Sequence, residues 1–177
     1  MLNEMGSEIK FRLLCEADLE MLRKWRMKPE VTKYLYTNPI LTSEDQMKWF
    51  LDLQKKDDIY WIINFRGIAI GYAALRNVSN ISADPGVFIA ETEYRSKGIG
   101  KYVIGEVQEY AFTVLGLRKL YGPVLSENLN ALMTYLKNRW TVEGVLRDHI
   151  YKDKLYDVYM IALFKKDWRK KYENSKE

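Results

Sequence analysis

The sequence predicts an α/β domain built on one mixed sheet. Three observations predict it. Strand-like and helix-like hydrophobic patterns alternate along the chain; two pairs of strand patterns are joined by short turns, Arg66-Gly67 and Lys152-Asp153-Lys154; and strand, turn, helix and strand follow one another from Gly86 to Leu125. That last unit is a βαβ crossover, expected to be right-handed. With 177 residues and 47% hydrophobic content, the chain suits one domain with a full core. No Pro/Gly/Ser linker divides it, so the expected domain is 1–177, with a core of about 9–168 and tails at 1–8 and 169–177.

Ile9 to Leu14 reads as a first strand. Glu16 to Trp25 reads as a helix with acids early and bases late, as the helix dipole prefers, and Pro29 closes or redirects it. Thr42 or Ser43 is the expected cap of a second helix, with Glu44, Asp45 and Gln46 in its first turn and Met47, Phe50, Leu51 and Leu53 on its apolar face. Tyr60–Phe65 and Ile68–Leu75 form a hairpin, and Ile81 to Ala90 continues the sheet. Behind a turn at Glu93–Tyr102, the residues Ile99, Val103, Val107, Tyr110, Ala111 and Val114 recur at helical spacing, and Gly116 suits the stop. A strand at 118–125, a helix at 128–138 and a final hairpin of Thr141–Ile150 with Leu155–Phe164 complete the order.

The turn carries the chemistry. Arg95, Ser96, Lys97, Gly98, Ile99, Gly100 and Lys101 make a basic, glycine-bearing entry into a helix, whose first N–H groups lack intrahelical partners and carry partial positive charge. A phosphate-bearing ligand is the natural counterpart, and glycine lets the main chain come close to it. Two familiar phosphate loops fail on these residues. A nucleotide-hydrolysing loop needs glycine where Arg95 stands and Ser or Thr where Tyr102 stands, and a dinucleotide fingerprint needs glycine at Val103.

What remains, Arg-x-x-Gly-x-Gly before a long helix, resembles the signature of the Gcn5-related N-acetyltransferases. A second segment, Asn128-x-x-Ala131-x-x-x-Tyr135, keeps the spacing of that family's later helix, but Arg139-Trp140 stands where the family usually has Gly-Phe. The resemblance covers roughly residues 9 to 168. It implies a mostly antiparallel mixed sheet whose central parallel pair is splayed around a cofactor crevice, flanked by about four helices. It implies acetyl-coenzyme A as co-substrate, with its diphosphate on residues 95–101 and further contacts from Asn128. It also implies direct transfer of acetyl to an amine without a covalent enzyme intermediate, and Tyr135 as the acid that protonates the departing thiolate.

Such a reaction needs a neutral amine, so a carboxylate beside the crevice is expected. Asp84, Glu91 and Glu93 are present; Asp84, eleven residues before Arg95, and Glu91, at the strand's end, are the candidates, with water as the alternative acceptor, and Asp84-Pro85-Gly86 also has the composition of a turn. Main-chain groups of Ile89, Ala90 and Glu91 are expected to hold the pantetheine arm as an added strand would. The stretch from Leu22 to Thr37 with Met47–Phe50 resembles the branch holding amino-sugar nucleotide acetyltransferases of pseudaminic acid synthesis, with relatives that acetylate ribosomal protein N-termini or polyamines. Trp25, Tyr34, Tyr36 and Trp49 could stack on rings, and Arg26 and Lys33 could meet a diphosphate. Trp25 and Trp49 equally suit a core. A polyamine site would call for more clustered carboxylates than Glu44-Asp45 and Asp57-Asp58 offer. The expected acceptor is a small-molecule amine, with a protein N-terminus or polyamine as alternatives and a non-catalytic coenzyme A binder as the third class.

Composition bounds the rest. One cysteine, Cys15, excludes an internal disulfide and reads as a small buried hydrophobe; one histidine, His149, argues against a Ser-His-Asp hydrolase and excludes a two-imidazole metal site, and no metal is expected. The net charge of +4 is spread among 24 acids, and the basic run Lys165–Lys171 reads as a solvated tail, so no nucleic-acid partner is expected. No apolar run approaches membrane-spanning length, and the first residues lack the regions of a signal peptide. The expectation is a cytoplasmic protein without a membrane partner, a monomer or homodimer.

Overall fold

The computed structural model describes residues 6–35, 40–151 and 154–168. Seven strands form one sheet: β1 (Ile9–Leu13), β2 (Ile59–Phe65), β3 (Ile68–Arg76), β4 (Ser82–Ile89), β5 (Lys119–Leu125), β6 (Thr141–Tyr151) and β7 (Leu155–Phe164), in the order β1-β2-β3-β4-β5-β7-β6. Every neighbouring pair is antiparallel except β4 with β5. The helices are α1 (Leu19–Met27), the short α2 (Pro29–Thr32), α3 (Ser43–Leu53), α4 (Ile99–Glu109) and α5 (Leu129–Lys137). Thr42 is the cap of α3: its hydroxyl accepts from the Asp45 N–H at 3.0 Å while the Asp45 carboxylate accepts from the Thr42 N–H at 3.0 Å.

The decisive feature is where β4 and β5 part. They pair over only two rungs, Ser82 with Lys119 and Ala83 with Leu120, although each strand runs on for five or more residues. Prolines explain the parting. Main-chain polar groups alternate between the two sides of a strand. Ala90 N–H points at β3, to Ile70 O, which turns odd-numbered residues of β4 toward β5; Lys119 N–H points at Ile81 O, which turns odd-numbered residues of β5 toward β4. Pro85 and Pro123 therefore both delete a donor facing the gap, just past the last paired rung. Without those donors the parallel ladder cannot continue, and a crevice opens in mid-sheet.

The main core lies between the sheet and α4, where Ile99, Val103, Val107, Ala111 and Phe112 pack on Ile63, Ala73, Leu75, Ala83 and Leu120. A smaller cluster on the opposite face joins Leu22 and Trp25 of α1 to Ile62 and Ala90. Several expectations are corrected here. Residues Glu16–Asp18 form a 3-10 turn before α1, and Pro29 opens α2 rather than only ending a helix. Leu51 and Val114 face solvent, whereas Gln46 is buried. Cys15 is exposed, not a core residue; its N–H and thiol face the Asp18 carboxylate that Arg12 also holds. Trp168 is no part of a solvated tail: its ring packs on Phe112 at 5.4 Å. Among the described residues, no helix is long and apolar enough to cross a membrane.

Candidate active site

The glycine turn sits at the open end of the crevice, between β4 and α4. Ser96 (φ 60°) and Gly98 (φ 83°) both adopt left-handed backbone, which coils the chain into the N-terminus of α4 with Gly98 as the cap. The first intrahelical bond is Tyr102 N–H to Gly98 O, leaving the N–H groups of Ile99, Gly100 and Lys101 without an acceptor among the described residues. No side chain caps them and no acid stands in the first turn. A Cβ added at Gly98 or Gly100 would meet nothing within 4 Å. Open, donor-rich and partly positive, this is a cradle that fits a diphosphate. Lys97 stands at its rim, over the Tyr94 ring at 5.7 Å.

Arg95 behaves differently from a rim charge. Its guanidinium donates to the carbonyls of Ile89 (2.8 Å) and Ala90 (3.1 Å), tying the turn to the end of β4. The N–H groups of Ala90 and Glu91 both donate to Ile70 O. The main-chain groups of β4 that face the crevice are, by strand alternation, those of Val87 and Ile89. Asn128 caps α5, its side-chain oxygen accepting from the Ala131 N–H at 3.3 Å.

The two candidate bases have opposite environments. Burial pushes the Glu91 carboxyl up, but hydrogen bonds from Lys28 Nζ (3.0 Å) and Trp25 Nε1 (2.7 Å), with the charges of Lys28 and Arg95, outweigh it and hold the group below its usual range. Asp84 is not in a turn: it lies inside β4, opposite Arg76 on β3, and is 8% exposed. Burial raises its pKa, the Arg76 ion pair at 3.0 Å opposes that only in part, and Asp58 adds to the rise. A carboxylate that holds a proton more tightly is the better base.

Asp84 and Tyr135 meet. With Pro85, Gly122, Pro123, Val124, Trp140 and Ile161 they line a cavity of about 10 Å³ where the strands part, at the lower limit for one water. Tyr135 is partly buried against the core, and burial first, then the Asp84 charge, raises its phenol well above the ordinary tyrosine range. Trp140 stacks edge-on to it at 4.8 Å, and its buried indole N–H finds no partner among the described residues. The substituted Gly-Phe pair is accommodated by Arg139 itself, which takes φ 67° while the N–H groups of Arg139 and Trp140 close on the carbonyls of Leu136 and Tyr135.

On the sheet face that α1 covers, rings run across the strands: Trp49 against Tyr60 (5.1 Å), Tyr60 against Tyr72 (6.0 Å), Tyr72 against Phe88 (5.5 Å). Burial and the neighbouring Tyr72 push Tyr60 up to about 12, against the pull of Arg76 and Arg26. The Trp25 ring is 4% exposed, so what it brings to the site is the N–H on Glu91. Lys33 sits over the Tyr34 ring at 4.6 Å, and Tyr36 lies outside the described residues. Sequence reasoning passed over Arg76, Gly122, Tyr60 and Tyr72. A hairpin reading of the loop Asn77–Ile81 would have set Arg76 opposite Asp84.

The Acetyltransferase (GNAT) domain family matches residues 8–140. The chain belongs to that family. As a GNAT protein it is an acetyl-coenzyme A dependent N-acetyltransferase, and the sequence expectation of cofactor and reaction class stands. Acetyltransferase PseH of Campylobacter jejuni is 25% identical over 142 residues, covering 80% of this chain and 88% of the relative. Spermidine N(1)-acetyltransferase of Vibrio cholerae is 25% identical over 152 residues, covering 83% and 87%. The structure of a Vibrio cholerae spermidine N-acetyltransferase in complex with CoA and spermine superposes with a TM-score of 0.85 at 21% identity, over 92% of this chain and 99% of that one. This GNAT chain therefore shares the fold of a spermidine N-acetyltransferase.

Proposed function

We propose that this GNAT enzyme acetylates, in the cytoplasm, the primary amine of a small molecule that also carries an anionic group, an amino-sugar nucleotide being the best fit. The observation that carries the reading is the acceptor face: Arg26 acts on a sheet of stacked phenols and rings, Trp49, Tyr60, Tyr72 and Phe88, which suits a base or sugar ring with a phosphate. The relationship to the acetyltransferase PseH supports it.

The cofactor would supply an activated acetyl group. The amides of Ile99, Gly100 and Lys101 would hold its diphosphate, with Lys97 at the rim, and the crevice-facing groups of Val87 and Ile89 would take the arm that the sequence assigned to Ile89, Ala90 and Glu91. Asp84 accepts the proton of the acceptor's ammonium. Glu91, held by Lys28 and Trp25, shapes the wall instead. Tyr135 keeps its proton at all ordinary pH values and can deliver it from its hydroxyl oxygen.

A second reading has its own observation. Asp45, Asp52 and Asp58 line an open groove of about 300 Å³ along α3 with Lys48, Trp49, Leu53 and Lys56, and carboxylates there would suit a polyamine. Release of coenzyme A thiol, measured across amino-sugar nucleotides, free amino sugars, polyamines and N-terminal peptides, separates the two. Saturable turnover of an amino-sugar nucleotide is expected. Saturation by spermidine with none by any anionic amine would overturn the proposal.

A further inference from the structure

The geometry points to Arg76 and Gly122 as positioning residues that aim the Asp84 carboxylate across the gap between β4 and β5, Arg76 by gripping one oxygen and Gly122 by leaving room for the other. The inference rests on the reading of Asp84 as the proton acceptor, and goes beyond it by naming what places that group.

Arg76 and Asp84 are cross-strand partners, with Arg76 Nη2 at 3.0 Å from Asp84 Oδ2. Two residues along the same face of β4, Gly86 leaves the guanidinium 3.5 Å from where a Cβ would stand. The other carboxylate oxygen reaches over β5: a Cβ built on Gly122 would lie 2.7 Å from Asp84 Oδ1, closer than real Cβ atoms come to an oxygen. The carboxylate is thus confined between a guanidinium and a bare stretch of main chain. Pro85 and Pro123 lack the N–H groups that would face it from either strand, and among the described residues no donor other than Arg76 reaches it.

The groups around Asp84 on each packed element are few. Arg76 and, behind it, Tyr72 come from β3; Tyr60 and Asp58 come from β2 and the segment before it; Tyr135 comes from α5; β5 presents Gly122, Pro123 and Val124, none of them charged. Arg76 is the cation in this set, so its removal leaves burial and Asp58 unopposed. The hold is made through one guanidinium nitrogen, Nη2, while the buried Nε has no hydrogen-bond partner among the described residues.

The test is the titration of the Asp84 carboxyl carbon by NMR in the wild-type chain and in Arg76→Gln, Arg76→Lys and Gly122→Ala, alongside the pH profile of kcat/KM with the most active amine of the acceptor panel. In Arg76→Gln the Asp84 midpoint is expected to rise by about one unit or more, and the acid limb of the profile to move with it. Arg76→Lys, which keeps the charge, is expected to restore most of the shift. Gly122→Ala is expected to move the midpoint and lower kcat, with KM for acetyl-coenzyme A held within about two-fold because the cradle at residues 98–101 is untouched. An unmoved midpoint in Arg76→Gln or in Gly122→Ala overturns the inference for that residue. So does a rise in acceptor KM with midpoint and limb unmoved, which would make Arg76 a substrate contact. Asp84→Asn isolates the underlying reading: if it keeps the acid limb, Asp84 is not the base, whatever Arg76 does to its titration.

Discussion

Gly100→Ala should strengthen the free protein and weaken its hold on coenzyme A, two effects of opposite sign from one methyl group. Gly100 is the second residue of α4 and does not have positive φ. An added Cβ meets no atom within 4 Å, so alanine fits without strain. Alanine is favoured over glycine by up to about 1 kcal/mol inside a helix; in a first turn about half of that is expected, or a rise in melting temperature of about 1–2 °C for a chain of this size. In the complex the methyl stands in the cradle where a phosphate must approach the amides. Loss of one charge-assisted hydrogen bond costs about 1.5–3 kcal/mol, which is roughly 10- to 100-fold in Kd. Calorimetric titration with coenzyme A and a thermal melt of the free protein measure both. Wild-type affinity in a correctly folded Gly100→Ala would refute the reasoning. Gly98→Ala is the contrast, since φ 83° makes alanine itself strained there by roughly 1 kcal/mol and stability should fall.

Three further outcomes are expected. Arg139→Gly should stabilise the protein by about 0.5–1 kcal/mol in urea titration, because Arg139 holds a left-handed φ of 67° at the end of α5; a loss of stability would count against it. Tyr135→Phe should lower kcat by about 100-fold while KM for acetyl-coenzyme A stays within about two-fold, and unchanged kcat would remove Tyr135 from the chemistry. Hydrogen bonds from Arg12 lower the Asp18 carboxyl against the effect of burial. A carboxyl lowered by folding adds stability that is present above its unfolded value near 3.8 and is lost as pH falls through the folded value. Denaturation followed from about pH 5 down to about pH 2 should therefore show Asp18→Asn less sensitive to acid than wild type, and parallel curves would contradict this.

Much of this was legible in the chain because its signals are local. The glycine turn, the cap at Thr42, the Arg66-Gly67 hairpin and the spacing from Asn128 to Tyr135 each lie within a dozen residues, and the structure keeps them. What escaped depends on partners distant in sequence. Pro85 lies in a stretch that reads as sheet, but that it opens a gap depends on Pro123, far off in sequence, removing the facing donor from β5. Arg76 became part of the site through sheet register, and Gly122 through the absence of a side chain under Asp84. Trp25 suited both a stacking surface and a core; only tertiary packing put its ring inside and its N–H on Glu91. Cys15 was misjudged because apolar neighbours in sequence do not fix the neighbours in space.

Cofactor binding centres on the amides that open α4 receiving the diphosphate, and amide NMR during a coenzyme A titration measures that directly. The N–H resonances of Ile99, Gly100 and Lys101 should move downfield together and saturate with the binding isotherm, as donors do when they gain a charged acceptor. Saturable binding that leaves those three resonances in place while others shift would contradict it.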